Sequence, residues 1–146
     1  MLLRLILKDF TKFMDSKTLM ETYLIEVGQK GRLDLIKTIA QPDMIDEANR
    51  AFGGPVGRDG LIAHVKTFRS QIGQLKLEIK QIIGNENEVM AHWFFTGIHR
   101  GPWLRREATG KEVSANVFSF FTLKDLSLIH ISEPTRLLSI AYAGVG

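Results

Sequence analysis

The sequence contains no cysteine, which removes disulfides and thiolate metal sites from any account of how the chain is held together. A reducing compartment suits such a chain, and a cytoplasmic location is expected. Clustered histidine is also missing. His64, His92, His99 and His130 lack the short paired spacing of a metal motif, so neither a metal nor a cofactor is expected. Long apolar runs are absent. The N-terminal Met1 to Leu7 is broken by Arg4 and followed at once by Lys8 and Asp9, too short for a signal core or a membrane span. Residues 1–14 therefore read as a loosely attached extension, with no membrane partner. An excess of one charge is lacking too. Nineteen Lys and Arg stand against sixteen Asp and Glu, a formal net charge of +3, and the only basic concentration is Arg100, Arg105, Arg106 and Lys111. A solvated loop accounts for it, and no nucleic-acid partner is expected. No internal repeat or low-complexity segment breaks the chain.

What is present is 146 residues with 45% hydrophobic content, enough for one domain with a real core. Its centre is the stretch Glu88 to Gly101. Bulky side chains occur at both phases of a two-residue alternation there, the pattern of a central strand covered on both faces. Ala91, Trp93, Phe95 and His99 share one face; Met90, His92, Phe94 and Thr96 share the other.

Upstream, Asp15 or Ser16 can cap a helix running to about Val27, with Leu19, Met20, Tyr23, Leu24 and Val27 at the spacing of one buried face. Leu33 to Ala40 reads as a second short helix stopped by Pro42, and Asp43 to Gly57 as irregular. A third helix spans roughly Gly60 to Gln71 with Leu61, Ile62, Val65, Phe68 and Ile72 as its stripe. The period then changes to two: Leu75 to Ile83 reads as a half-exposed strand, Gly84 to Asn87 as a turn, and Lys111 to Leu123 as a third strand. Helices first and a strand meander after argue for an α+β fold.

The tail reads differently. Leu126 to Arg136 resembles the in-frame translation of a transposase sequencing adaptor, residue for residue. Residues 126–146 are accordingly expected to be a non-native tail after a domain spanning 15–125 whose last native strand is missing. His130 carries no functional weight in this reading. Alternation of Leu126, Leu128 and His130 with Ser127, Ile129 and Ile131 would let the segment borrow a sheet edge at most.

Within 17–125, several features occur in an order and spacing that resemble a known family. They are Tyr23 and Val27 before Gly31-Arg32-Leu33-Asp34; Pro42-Asp43-Met44-Ile45-Asp46; Gly57-Arg58-Asp59-Gly60; His92-Trp93 before Thr96-Gly97-Ile98-His99-Arg100-Gly101; and Thr109-Gly110-Lys111 before Val113. Together they resemble the SnoaL-like polyketide cyclase or ester cyclase family of the nuclear transport factor 2-like superfamily. The resemblance implies a cone-shaped, antiparallel-rich curved sheet closed by three N-terminal helices around a pocket, and often a homodimer through the outer sheet face. It also implies cofactor-free ring closure of a small apolar, polyketide-like carbonyl compound, by a general base and donors for an enolate.

The chain departs from the family pattern at two positions. Ser119 stands where many members carry an acid, and Glu47 follows Asp46 where many have histidine. On this basis His99 and Glu47 are the expected catalytic acid/base residues, and Tyr23, Trp93, Phe95 and Ser119 the expected substrate-binding residues. Imidazole suits proton transfer near neutrality. A non-catalytic binding module on the same fold is the alternative from another class. An epoxide-hydrolase-like or dehydratase-like enzyme, needing an acidic pair in the pocket, is a third.

Overall fold

The computed structural model describes residues 15–103, 105–133 and 141–142, so the expected extension at 1–14 lies outside the described residues. Helix α1 (Ser16–Glu21) is capped by Asp15, whose carboxylate accepts from Thr18 N at 2.8 Å, and it continues as a π-helical stretch, Thr22–Gln29. Leu19, Met20, Tyr23, Leu24 and Val27 are all buried, the face expected from their spacing. The far end is closed by Arg69, which donates to the carbonyls of Gly28 and Gln29 and satisfies groups that a helix end leaves open. A 3-10 turn (Leu33–Leu35) and α2 (Ile36–Ile39) form the expected second helical segment.

Strand β1 (Ala40–Asp46) corrects the sequence reading, which left most of this stretch irregular. Pro42 made a strand hard to see, since proline cannot donate to a ladder. The sheet resolves this by keeping β1 at its edge, where one side needs no donor. A five-residue helix α3 (Glu47–Ala51) follows, then α4 (Gly57–Gln71), which starts three residues earlier than expected. Gly57 makes that start possible. It has φ +66, and a Cβ there would collide with the Pro42 carbonyl, so α4 begins hard against β1.

Strands β2 (Ile72–Gly84), β3 (Glu88–His99) and β4 (Glu112–Lys124) form the antiparallel meander at the expected places. The sheet runs β1-β5-β4-β3-β2 and is not closed; β1 is parallel to β5 and the other pairs are antiparallel. One face packs on the helices. Along β3, Val89, Ala91, Trp93, Phe95, Gly97 and His99 are buried, while the intervening residues are half-buried or exposed. The expectation that both faces of this strand are covered is thus corrected: only the inner face is covered within the chain, and Met90 remains 45% exposed.

The expected edge position of 126–131 is corrected as well. Strand β5 (Ser127–Ser132) lies between β1 and β4, and Leu128 and Ile131 are fully buried. Simple alternation would send these two residues to opposite faces. The register instead shifts between Thr122 and Leu123, which oppose His130 and Leu128, so Ile129 is an extra residue and both apolar side chains point inward. A two-residue strand β6 (Ala141–Tyr142) pairs with Val113 and Ser114 on the same edge of β4.

Candidate functional site

The inner sheet face divides into two polar places separated by a wall of aromatic rings. At one, Trp93 Nε1 donates to Ser119 Oγ at 2.9 Å, with both residues buried. The strand register explains the contact. Trp93 opposes Val117 and Ser119 opposes Ala91, so the two are diagonal neighbours, within reach of an indole. Tyr23 of the first helix lies edge-on against Phe121, two residues from Ser119 on the same face (centroids 5.1 Å). The Ser119 hydroxyl in turn donates to Glu133 Oε1 at 2.8 Å. Burial of this carboxyl raises its pKa, although the nearby His64 and the Ser119 hydrogen bond oppose the shift. Burial also holds Tyr23 well above its ordinary value, and the charges of Glu133 and Asp46 add to that. The phenol therefore stays protonated and keeps a proton to donate.

The second place is the other end of β3. His99 Nδ1 lies 3.1 Å from Thr109 Oγ1, and its ring meets Trp103 at 6.4 Å. His99 is eight residues from Ala91, the partner of Ser119, which is roughly 26 Å along an extended strand. The structure thus brings Tyr23, Trp93 and Ser119 together and leaves His99 apart. Phe95 sits between, tilted against Trp93 at 6.0 Å and against Trp103 at 6.2 Å. On this face, where a pocket was expected, Phe68 of α4 packs edge-on to Phe95 at 5.1 Å and to Trp93 at 6.5 Å.

Glu47 starts α3 outside this face and binds Arg50 at 2.9 Å and His130 at 2.7 Å. The His130 hydrogen bond, supported by Arg50, holds its carboxyl below the ordinary range. A carboxylate so stabilised is a weak base. A cavity of about 90 Å³ lies beside it, between β1 and the Gly54–Gly57 turn, with Asp46 in its wall. Pockets for drug-sized ligands are typically about 300–1,000 Å³, so this one suits only a small group.

Two residues that sequence reasoning passed over join the first place. His64 Nδ1 donates to Asp46 Oδ2 at 2.6 Å, and the Asp46 side chain is 1% exposed. Burial disfavours charge on His64, but the hydrogen bond and charge of Asp46, aided by Glu133, outweigh it and raise the pKa. The available signal was positional. His64 occupies the core-facing stripe of α4, three residues after Leu61 and four before Phe68, where a polar side chain needs a buried partner. Among the described residues no group of three or more His, Asp or Glu could hold a metal ion, and no helix is long and apolar enough to cross a membrane.

Comparison with known proteins follows the same lines. A family model described as SnoaL-like polyketide cyclase matches residues 18–130. No curated protein matches the sequence. Among solved structures, TsrD from Streptomyces laurentii is similar at 20% identity and TM-score 0.70, covering 84% of this chain and 90% of that one. A SnoaL-like polyketide cyclase from Agrobacterium tumefaciens is similar at 13% identity and TM-score 0.69, covering 85% and 94%. IdmH from Streptomyces antibioticus is similar at 13% identity and TM-score 0.66, covering 84% and 94%. At these identities the likeness is one of fold.

Proposed function

The chain belongs to the SnoaL-like polyketide cyclase family, and from that premise we propose that it is a cofactor-free enzyme of the cyclase or isomerase type. Its substrate in this reading is a small apolar, polyketide-like carbonyl compound, processed by general acid/base catalysis. The observation that carries the reading is the buried Trp93–Ser119 hydrogen bond set in an apolar wall beside the protonated Tyr23. Donors fixed in a dry site are what a developing enolate requires, because they need no reorganisation when charge appears. The Tyr23 phenol donates to the substrate oxygen, Trp93 and Ser119, whose own protons are held by Ser119 Oγ and Glu133, line the site with Phe95, and the substrate enters by displacing Phe68.

The two acid/base residues expected from the sequence fit less well. His99 lies some 26 Å along β3 from the partner of Ser119, and Glu47 is already held by His130 and Arg50. A second reading, a binding module, is favoured by one observation: the position where many members carry an acid is a serine here. An acidic pair for dehydratase-like chemistry would have to be Asp46 and Glu133, and Glu133 belongs to the segment expected to be non-native.

The outer sheet face supports a homodimer: Met90 and Phe118 are exposed, and Phe94, Ile98 and Phe120 are half-buried beside them. A cytoplasmic location goes with the absence of cysteine. The test of function is turnover of a panel of small ketones and polyketide-like compounds by the parent chain, His99→Gln, Glu47→Gln and Ser119→Asp. Turnover by the parent supports the enzyme. Ligand binding without turnover, with activity only in Ser119→Asp, selects the binding module.

A further inference from the structure

We propose that His64, held by Asp46, is the proton-transfer residue of this site and takes a proton from the carbon beside the carbonyl of a small ketone; this rests on the cyclase-type reading above. The geometry is that of an oriented base. Asp46 ends β1 with both carboxylate oxygens engaged, Oδ2 by His64 and Oδ1 by the Asn49 N–H at 3.3 Å, so the ring is anchored from a fixed point. Nδ1 carries the proton in that bond. The neutral ring therefore offers its lone pair at Nε2, to which no described residue is hydrogen-bonded.

The place is right for the substrate proposed. His64 and Phe68 are one turn apart on the same face of α4, about 6 Å along its axis, and Phe68 touches Trp93. A ligand that displaces Phe68 from Trp93 therefore lies alongside His64. The histidine side chain is 28% exposed while its aspartate is 1% exposed, which gives the pair an anchored end and an open one. Two titratable groups act on it, Asp46 from β1 and Glu133 after β5, and the charges of the same two carboxyls also reach Tyr23 of the first helix. Ser119 is neutral.

The step balances without a co-reactant. Nε2 takes the proton from the carbon, the C–H electron pair becomes the C=C bond of an enolate, and the carbonyl π pair moves to oxygen beside Tyr23. The enolate carbon then forms a C–C bond to a second carbonyl of the same molecule. Nε2–H returns its proton to the new alkoxide.

Proton abstraction alone tests this, without knowledge of the natural substrate. The probe is acetophenone: loss of its methyl proton signal is followed by NMR in deuterated water, and binding is read separately, in ordinary water, from the Trp93 indole N–H. The parent chain is expected to bind and to accelerate exchange. His64→Gln is expected to lower the rate about a hundredfold to ten-thousandfold, the usual worth of a positioned base. Asp46→Asn, which can still cap α3, is expected to lower the rate less and to move its pH midpoint downward; it keeps the test informative if His64→Gln does not fold. His92→Gln, on the outer face, is expected to match the parent.

Exchange undiminished in a folded His64→Gln overturns the proposal, as does loss confined to Glu133→Gln, His99→Gln or Glu47→Gln. Binding without exchange in the parent overturns it and leaves the binding module. Neither binding nor exchange overturns it together with the cyclase-type reading.

Discussion

Replacing Leu128 by alanine puts the interior position of β5 to a quantitative test. Leu128 is fully buried between β1 and β4, pairing with Ala40 on one side and Leu123 on the other, both themselves buried. Truncating such a leucine removes its transfer free energy and leaves a cavity, together about 2–5 kcal/mol. Packing from two strands and the core beneath leaves little room for collapse, so a value near 3 kcal/mol is expected. Against a total stability of about 5–15 kcal/mol for a domain, that is a large share. For a chain of this size it lowers Tm by roughly 10 °C. The assay is urea denaturation by circular dichroism, with Lys124→Ala, at an exposed neighbouring position, as reference. Equal m-values with a lower midpoint would locate the loss in native packing. A Leu128→Ala midpoint within about 0.5 kcal/mol of the Lys124→Ala reference, the range of surface changes, would show that β5 is not packed as described.

Three other outcomes follow from named contacts. Arg69→Met removes the donor to the Gly28 and Gln29 carbonyls and should cost about 2 kcal/mol, read from the same denaturation curves; an unchanged midpoint would mean that water caps the helix end equally well. Met90→Asp and Phe118→Asp place charge on the outer sheet face and should shift sedimentation from dimer to monomer, whereas a parent chain that is already monomeric would end the dimer proposal. The pH dependence has a definite sign. Because the folded chain raises the His64 pKa above its ordinary 6.5, the stability His64 contributes is complete below that value and is lost as pH rises through the folded-state pKa. Glu133, also raised, acts with the same sign from 4.5 upward. Urea midpoints should thus fall more steeply between pH 6 and 9 in the parent than in His64→Gln, and parallel profiles would contradict the assignment.

Strands β2 to β4 and the two main helices were legible because each obeys one period over many residues. Leu75, Leu77 and Ile79 alternate cleanly with lysine and glutamate, and Asp15 caps as its chemistry dictates. What escaped was set by tertiary partners. Strand β1 contains Pro42 and is extended because β5 and α4 hold it, which no local pattern reports. The bulge at Ile129 arises from pairing with two strands at once. The site divides in the same way. The shared face of Trp93 and His99 follows from alternation, but a face does not specify distance along a strand, and that distance separates them. His64 and Asp46 lie on different elements 18 residues apart, and only the packing of α4 on β1 makes them a pair.

Ser119→Asp, the substitution that introduces the acid expected from the family resemblance, should behave differently depending on Glu133. The introduced carboxyl would be buried, would accept from the Trp93 indole and would face a second carboxyl already hydrogen-bonded to residue 119. Two carboxyls sharing one buried site cannot both ionise, so the pair would retain a proton at neutral pH and the single variant would lose stability as pH rises. Glu133→Gln removes the competitor and leaves an amide able to donate. The double variant should therefore recover stability at pH 7 relative to Ser119→Asp, and its introduced carboxyl should ionise nearer the ordinary carboxylate range. Comparison of urea midpoints at pH 5 and pH 7 across the two single variants, the double variant and the parent gives the coupling directly. Additive effects, with no coupling between the two positions, would show that Glu133 does not face Ser119 in solution, and the polar cluster would then reduce to Trp93, Ser119 and Tyr23 beside the Asp46–His64 pair.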